Sequence, residues 1–154
     1  DLYRRSVYTF WKRTVPYPSL SAFDVPDRDV CVVRRSKTDT PQQALVLMNE
    51  TLQLEAARKL AERMLTEGGK KENERLSFAF ESATARKLKP DEQKILDLLL
   101  DQRLAYYRQN PADARNYISV GASKPNPQLD PSELAAYANV ASLIMNLDET
   151  IERN

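Results

Sequence analysis

Along most of the chain, apolar residues recur at spacings of three and four, the period of a helix with one buried face. Thr40-Pro41-Gln42-Gln43 supplies a capping hydroxyl, proline at the first helical position and Gln at the third, which predicts a helix start. Ala44, Leu45, Leu47 and Met48 form its expected buried face. Asn49 breaks or recaps the helix, which is expected to run on through Leu60 and Met64 until Gly68-Gly69. Leu76, Ala79, Phe80 and Ala83 predict a second long helix over Glu72 to Leu88. Pro90-Asp91-Glu92 opens a third, with its acids in the first turn, where the helix dipole favours them. Ile95, Leu98, Leu99 and Tyr106 are read as its inner side. Asn110-Pro111 starts a short helix to Val120, with Gly121 as its stop, and residues 122–129 form a loop. Asp130-Pro131-Ser132-Glu133 caps the last helix. Its apolar stripes, Leu134, Tyr137, Ala141, Ile144 beside Val140, Leu143, Leu147, are wide enough for the centre of a bundle.

The first 37 residues follow another pattern. SVYTFW and VCVV are β-branched and aromatic, so both are predicted as strands. Pro16, Pro18 and Pro26 between them argue for an extended connection and against a helix. The expected architecture is therefore all-α: a bundle of five or six helices over 38–154, carrying an extended N-terminal arm or small two-stranded ribbon over 1–37. Together they are read as one domain, since an isolated hairpin is marginal in water. There is no convincing internal repeat.

Composition narrows the chemistry. The chain of 154 residues contains no histidine and one cysteine, Cys31. Ser-His-Asp and Cys-His nucleophilic systems, histidine-ligated haem and the usual zinc or copper sites are thereby removed. An internal disulfide is impossible, and the valines around Cys31 predict a buried, inert thiol. Only three glycines occur, against about ten at average usage, which disfavours a glycine-rich phosphate loop. Apolar runs such as LVLM fall far short of the ~20 residues of a membrane helix. Asp1 is not a natural start, so the chain is expected to be mature or cut from something longer.

Net charge is +1 but unevenly spread. Residues 1–37 hold eight basic and four acidic side chains, a net +4, and the remainder carries a net −3. Such an arm is expected to dock on the negative body or to meet an acidic partner.

Three blocks, YRRSVYTFWKR, AFDVPDRDVCVVRRSKTDTPQQALVLMN and VASLIMNLDETI, in this order resemble the planctomycete-type domain of unknown function numbered fifteen fifty-three. Family members have Asn at the place of Asp39, an apolar residue at Gln42 and proline at Thr51. The resemblance spans nearly the whole chain and implies the C-terminal portion of a large exported protein with an N-terminal c-type cytochrome module. It implies an extracytoplasmic or periplasmic location, and a partner in the N-terminal remainder of the parent. No Cys-x-x-Cys-His occurs here, so no cofactor is expected in this fragment, and haem c is expected elsewhere in the parent.

The candidate anion- or partner-binding residues are Arg4, Arg5, Arg13, Arg34 and Arg35, flanking the strand-like segments together with Lys12. Collected on one edge they would clamp a carboxylate or sulfate, as on an acidic polysaccharide. Internal pairing with Asp24, Asp27, Asp29 or Asp39 is the leading alternative, and a partner-domain contact the third. Arg34 and Arg35 are expected to lock the arm to the first long helix. Tyr3, Tyr8, Phe10 and Trp11 interleave with basic residues, but a nearly neutral domain does not predict nucleic-acid binding. Asp148, Glu149 and Glu152 form a carboxylate cluster read as lying near the end of the last helix, suited to calcium, acid–base chemistry or salt bridges to the arm. Met48, Met64 and Met145 are read as core filling, and Tyr106, Tyr107 and Tyr117 as packing residues that could also stack on a sugar. No catalytic and no metal-ligating residue is assigned. The leading expectation is a non-catalytic structural or interaction module; part of a polysaccharide-acting enzyme, or an acidic-glycan binder, is the alternative.

Overall fold

The computed structural model describes residues 3–4, 6–12, 14–26, 29–34, 36, 38 and 40–151. Its architecture is all-α. Among the described residues there are eight helices: α1 (Pro18–Ala22), α2 (Pro41–Asn49), α3 (Thr51–Glu67), α4 (Glu72–Thr84), α5 (Pro90–Gln109), α6 (Pro111–Ile118), α7 (Pro131–Met145) and α8 (Asp148–Ile151). The chain divides into two compact units, Asp1–Val46 and Leu47–Asn154, with the division inside α2.

In the first unit the expected ribbon does not form among the described residues. Ser6–Tyr8 is a single 3-10 turn, and the extended pairing is one isolated bridge, Lys12 to Val15. Val30 and Val33 are exposed. β-Branched residues favour a strand only where a neighbouring strand and a packed face await them. The expectation of a buried Cys31 fails with the strand, for its side chain is exposed. The prolines do not exclude a helix either: Pro18 occupies the first turn of α1, where its missing N–H costs nothing. What orders this unit is polar. Asp24, at φ 54, accepts hydrogen bonds from Thr38 N (2.8 Å) and Thr38 Oγ1 (2.7 Å). Gln43 Nε2 donates to Ala22 O at 2.9 Å. The capping box at Thr40 is present, with Thr40 N donating to Gln43 Oε1 and Gln43 N to Thr40 Oγ1. Gln43 is buried while Leu45 and Met48 are exposed, so the expected apolar face of α2 is not its buried one.

The second unit is organised around α7, which packs against α3, α4, α5, α6 and α8. Ala135, Ala136, Ala138 and Ala141 are fully buried, and these small side chains bring the neighbouring backbones close. Leu134, Val140 and Ile144 add bulk, and Met64, Leu76, Phe80, Leu100 and Ile118 close the core from the surrounding helices. A helix apolar on nearly every side belongs in the middle, and α7 is there. Proline opens α5, α6 and α7 at the predicted places, and Asp130 Oδ1 accepts from Glu133 N at 2.9 Å.

Two expectations shift. On α5 the buried residues are Leu96, Leu100 and Tyr107; of the predicted inner side Leu99 packs half-buried against the core, while Ile95, Leu98 and Tyr106 are exposed. The segment KILDLLLDQRLAYY carries two apolar stripes about 100° apart, and only one can face α7. Second, α4 stops at Thr84 rather than Leu88, because Ala85 adopts the left-handed conformation (φ 58). That conformation costs an L-residue about 1–2 kcal/mol. It turns the chain so that Arg86 lies across Phe80.

Candidate functional site

The end of α4, the first turns of α5, the end of α7 and α8 enclose an open groove of about 370 Å³. Its walls are Phe80, Ile95, Leu96, Leu143, Ile144 and Leu147, and its polar end is formed by Arg86, Glu92, Asp148 and Glu149. Ile95 and Leu143 stand exposed at its sides, and Leu98 is exposed one turn further along α5. Large aliphatic side chains left open beside one another are the mark of a surface that meets another apolar surface.

Arg86 organises the polar end. Its Nη1 and Nη2 donate to the two carboxylate oxygens of Glu92 at 2.9 and 2.7 Å, and Nε and Nη2 donate to Glu149 at 2.6 and 3.0 Å. Nη1 also reaches Lys87 O at 3.2 Å, so all five guanidinium donors are engaged. The guanidinium carbon lies 4.7 Å from the centre of the Phe80 ring. Hydrogen bonds from Arg86, then from Lys89 N, hold the Glu92 carboxyl down at about 2. Glu149 is likewise held below the usual carboxylate range by Arg86. The same pairs, Glu92 first, raise Arg86 further. Arg86 is therefore a clamp joining the α4–α5 connection to α8 rather than a receptor for an added anion. The three carboxylates outnumber the one guanidinium among the groups lining this end, and α8 places Asp148 and Glu149 in its first turn. The apolar pattern predicts these acids at the close of the preceding helix. In fact α7 ends at Met145 and a new turn begins at Asp148, which removes the unfavourable dipole.

Of the remaining sequence candidates, Arg4 and Arg34 are exposed, and Arg34 has no hydrogen bond or ion pair to any described residue. Arg5, Arg13, Arg35 and Glu152 lie outside the described residues. Among the described residues no cluster of three or more His, Cys, Asp or Glu side chains has the arrangement of a metal site, and no helix is long and apolar enough to cross a membrane.

A buried polar latch escaped the sequence reading. Glu55 accepts from Ala122 N (3.0 Å), Ser123 N (2.8 Å) and Ser123 Oγ, while Arg58 donates to Glu62 (3.0 Å), Ser123 O (2.8 Å) and Ser123 Oγ (2.9 Å). Glu62 also takes Asn126 N at 3.2 Å. Arg58 is 1% exposed and Glu55 5%. Gly121, at φ +104, lets the loop approach, because a Cβ there would collide with the Glu55 carboxylate. The latch binds the α6–α7 loop to α3 and so fixes α7 under the groove. Its signal was available: Glu55, Arg58 and Glu62 share one helical face with the small residues Ala57 and Ala61 beside them.

Residues 1–100 match the model of a family described as PSD1, protein of unknown function (DUF1553). The first two blocks singled out in the sequence lie within that stretch, and VASLIMNLDETI lies beyond it. No curated protein and no solved structure matches the chain.

Proposed function

We propose a role from one premise, that the chain belongs to the PSD1 family: it is a non-catalytic structural and interaction module whose groove receives a basic, amphipathic helical segment of a partner polypeptide. The observation that carries this reading is the exposure of Ile95 and Leu143 along an apolar groove that ends in Glu92, Asp148 and Glu149, with Leu98 exposed one turn further on. Apolar anchors at helical spacing would fill the trough, and a Lys or Arg at one end would meet the carboxylates that Arg86 leaves in excess. On the family resemblance, the partner is the remainder of a larger exported parent protein linked to a c-type cytochrome, and the module works outside the cytoplasm. Haem would belong to that remainder, since this chain has neither histidine nor a second cysteine. Recognition of an acidic glycan along the arginine edge is the second reading, favoured by the exposure of Arg34.

The test places a photo-crosslinking amino acid at Ile95 in the full parent protein, with Leu143→Asp as the disrupting variant. Crosslinks that map to a basic amphipathic segment and vanish in L143D support the reading. Crosslinks to segments without that pattern, or none above a control at exposed Val33, refute it.

A further inference from the structure

Leu143 stands between the groove and a second concavity, of about 280 Å³, on the adjacent face of α7. Its floor is aliphatic: Met48, Leu54, Leu99 and Leu143. Around that floor stand Arg103, Tyr117, Ser142 and Asn146, and their side chains are unusual in what they lack. Among the described residues none of these four makes a side-chain hydrogen bond or ion pair. Asn146 Oδ1 is buried and unpartnered. Asn139, on the same wall, is by contrast matched, its Nδ2 donating to Tyr107 Oη and Ala135 O. A buried acceptor left without a donor costs free energy, and Asn146 Oδ1 is such an acceptor, whereas exposed Arg103 and half-buried Tyr117 and Ser142 leave their polar groups uncommitted around the same floor.

We infer that this pocket between α5, α6 and α7 binds a small organic carboxylate with an apolar body and a hydroxyl group. The guanidinium of Arg103 takes the carboxylate, the hydroxyl donates to Asn146 Oδ1, and the aliphatic floor holds the body. One arginine among neutral groups balances a single negative charge, which selects a carboxylate over a doubly charged phosphate. Space agrees: at about 30 Å³ for each water-sized group, the pocket has room for roughly nine or ten such groups, the size of a hydroxylated aromatic acid. Tyr117 is held up at about 12, chiefly by burial with a smaller contribution from Tyr107 and against the charge of Arg103, so its phenol stays neutral beside the ligand. This pocket is separate from the groove, and the inference does not depend on the partner reading above.

Para-hydroxybenzoate and para-hydroxyphenylacetate are the probes, titrated into the isotopically labelled protein and followed by amide chemical shifts. Matched analogues are benzoate, lacking the hydroxyl, and para-hydroxybenzyl alcohol, lacking the carboxylate. Saturation is expected at a Kd of about 1 mM or tighter for at least one probe, the scale for a ligand of some ten heavy atoms. Shifts should centre on Leu99, Tyr117 and Asn146, and each analogue should bind about tenfold weaker. Arg103→Met should weaken the acids at least about fivefold without lowering Tm, because Arg103 is exposed and unpaired in the free protein. Asn146→Leu should erase the preference for para-hydroxybenzoate over benzoate. If neither probe saturates by about 10 mM, if shifts map elsewhere, or if R103M binds as well as the parent chain, the inference fails.

Discussion

Replacing Glu55 by Leu tests the latch most directly. The carboxylate accepts from two backbone amides and the Ser123 hydroxyl, and lies 3.7 Å from Arg58. Leucine keeps approximate bulk but leaves those donors facing an apolar group. Removing one partner from a buried charge network costs about 3–5 kcal/mol. With a urea m-value of about 2 kcal/mol/M, the midpoint should fall by about 1.5–2.5 M. Gly121→Ala attacks the same contact from the other side. It should cost about 1–2 kcal/mol for the left-handed backbone and about 1.5–3 kcal/mol for a displaced charge-assisted hydrogen bond. In the E55L background the hydrogen-bond part should be gone, while the backbone part and the contact with the Cβ of residue 55 remain. The double-mutant cycle therefore predicts a coupling of about 1.5–3 kcal/mol. Hydrogen exchange adds a local readout: the amides of Ala122 and Ser123 should lose protection in E55L. A midpoint shift under about 0.5 M, with both amides still protected, would mean that Glu55 does not hold the loop to α3.

Three further outcomes are expected. Because Arg86 holds the folded-state values of Glu92 and Glu149 below 4.5, their stabilisation is present above about pH 4.5 and is lost as pH falls towards about 2; Arg86→Met should flatten the decline of Tm across that window, measured by calorimetry. Tyr117 is raised to about 12, so its stabilising contribution is complete below about pH 10 and lost as pH climbs to about 12; in an ultraviolet titration Tyr117→Phe should lose tyrosinate amplitude at about 12. Cys31 is exposed, so a thiol reagent should modify one equivalent in the native protein without denaturant; protection until unfolding would restore the strand-like reading of residues 30–33.

Helix starts were the most legible part of the chain. Proline at the first helical position of α2, α5, α6 and α7 fixes where each begins, since the ring satisfies one unpaired position and presets the backbone. The loop over 122–129 and the breaks at Asn49 and Asn110 were readable for similarly local reasons. Orientation was not. On α5, neighbouring leucines offer two equivalent faces, and the choice of Leu96 and Leu100 over Ile95 and Leu98 is made by α7, 30 or more residues away. Asp148 and Glu149 were legible as a cluster, but Glu92 beside them and their shared partner were not, because Arg86 approaches only after Ala85 turns the chain. The latch likewise joins residues more than 60 positions apart. Local patterns carry caps and periods, while long-range pairing decides which stripe is buried and which charge meets which.

The matched family stretch ends at residue 100, yet α3, α4 and α5 rest on a helix that begins at Pro131. During synthesis these helices leave the ribosome with bare apolar flanks until the scaffold on which they settle has followed. A gene fragment trimmed to the matched boundary would discard that scaffold, so the product should be insoluble, and cloning limits for related chains are better drawn past the equivalent of Met145.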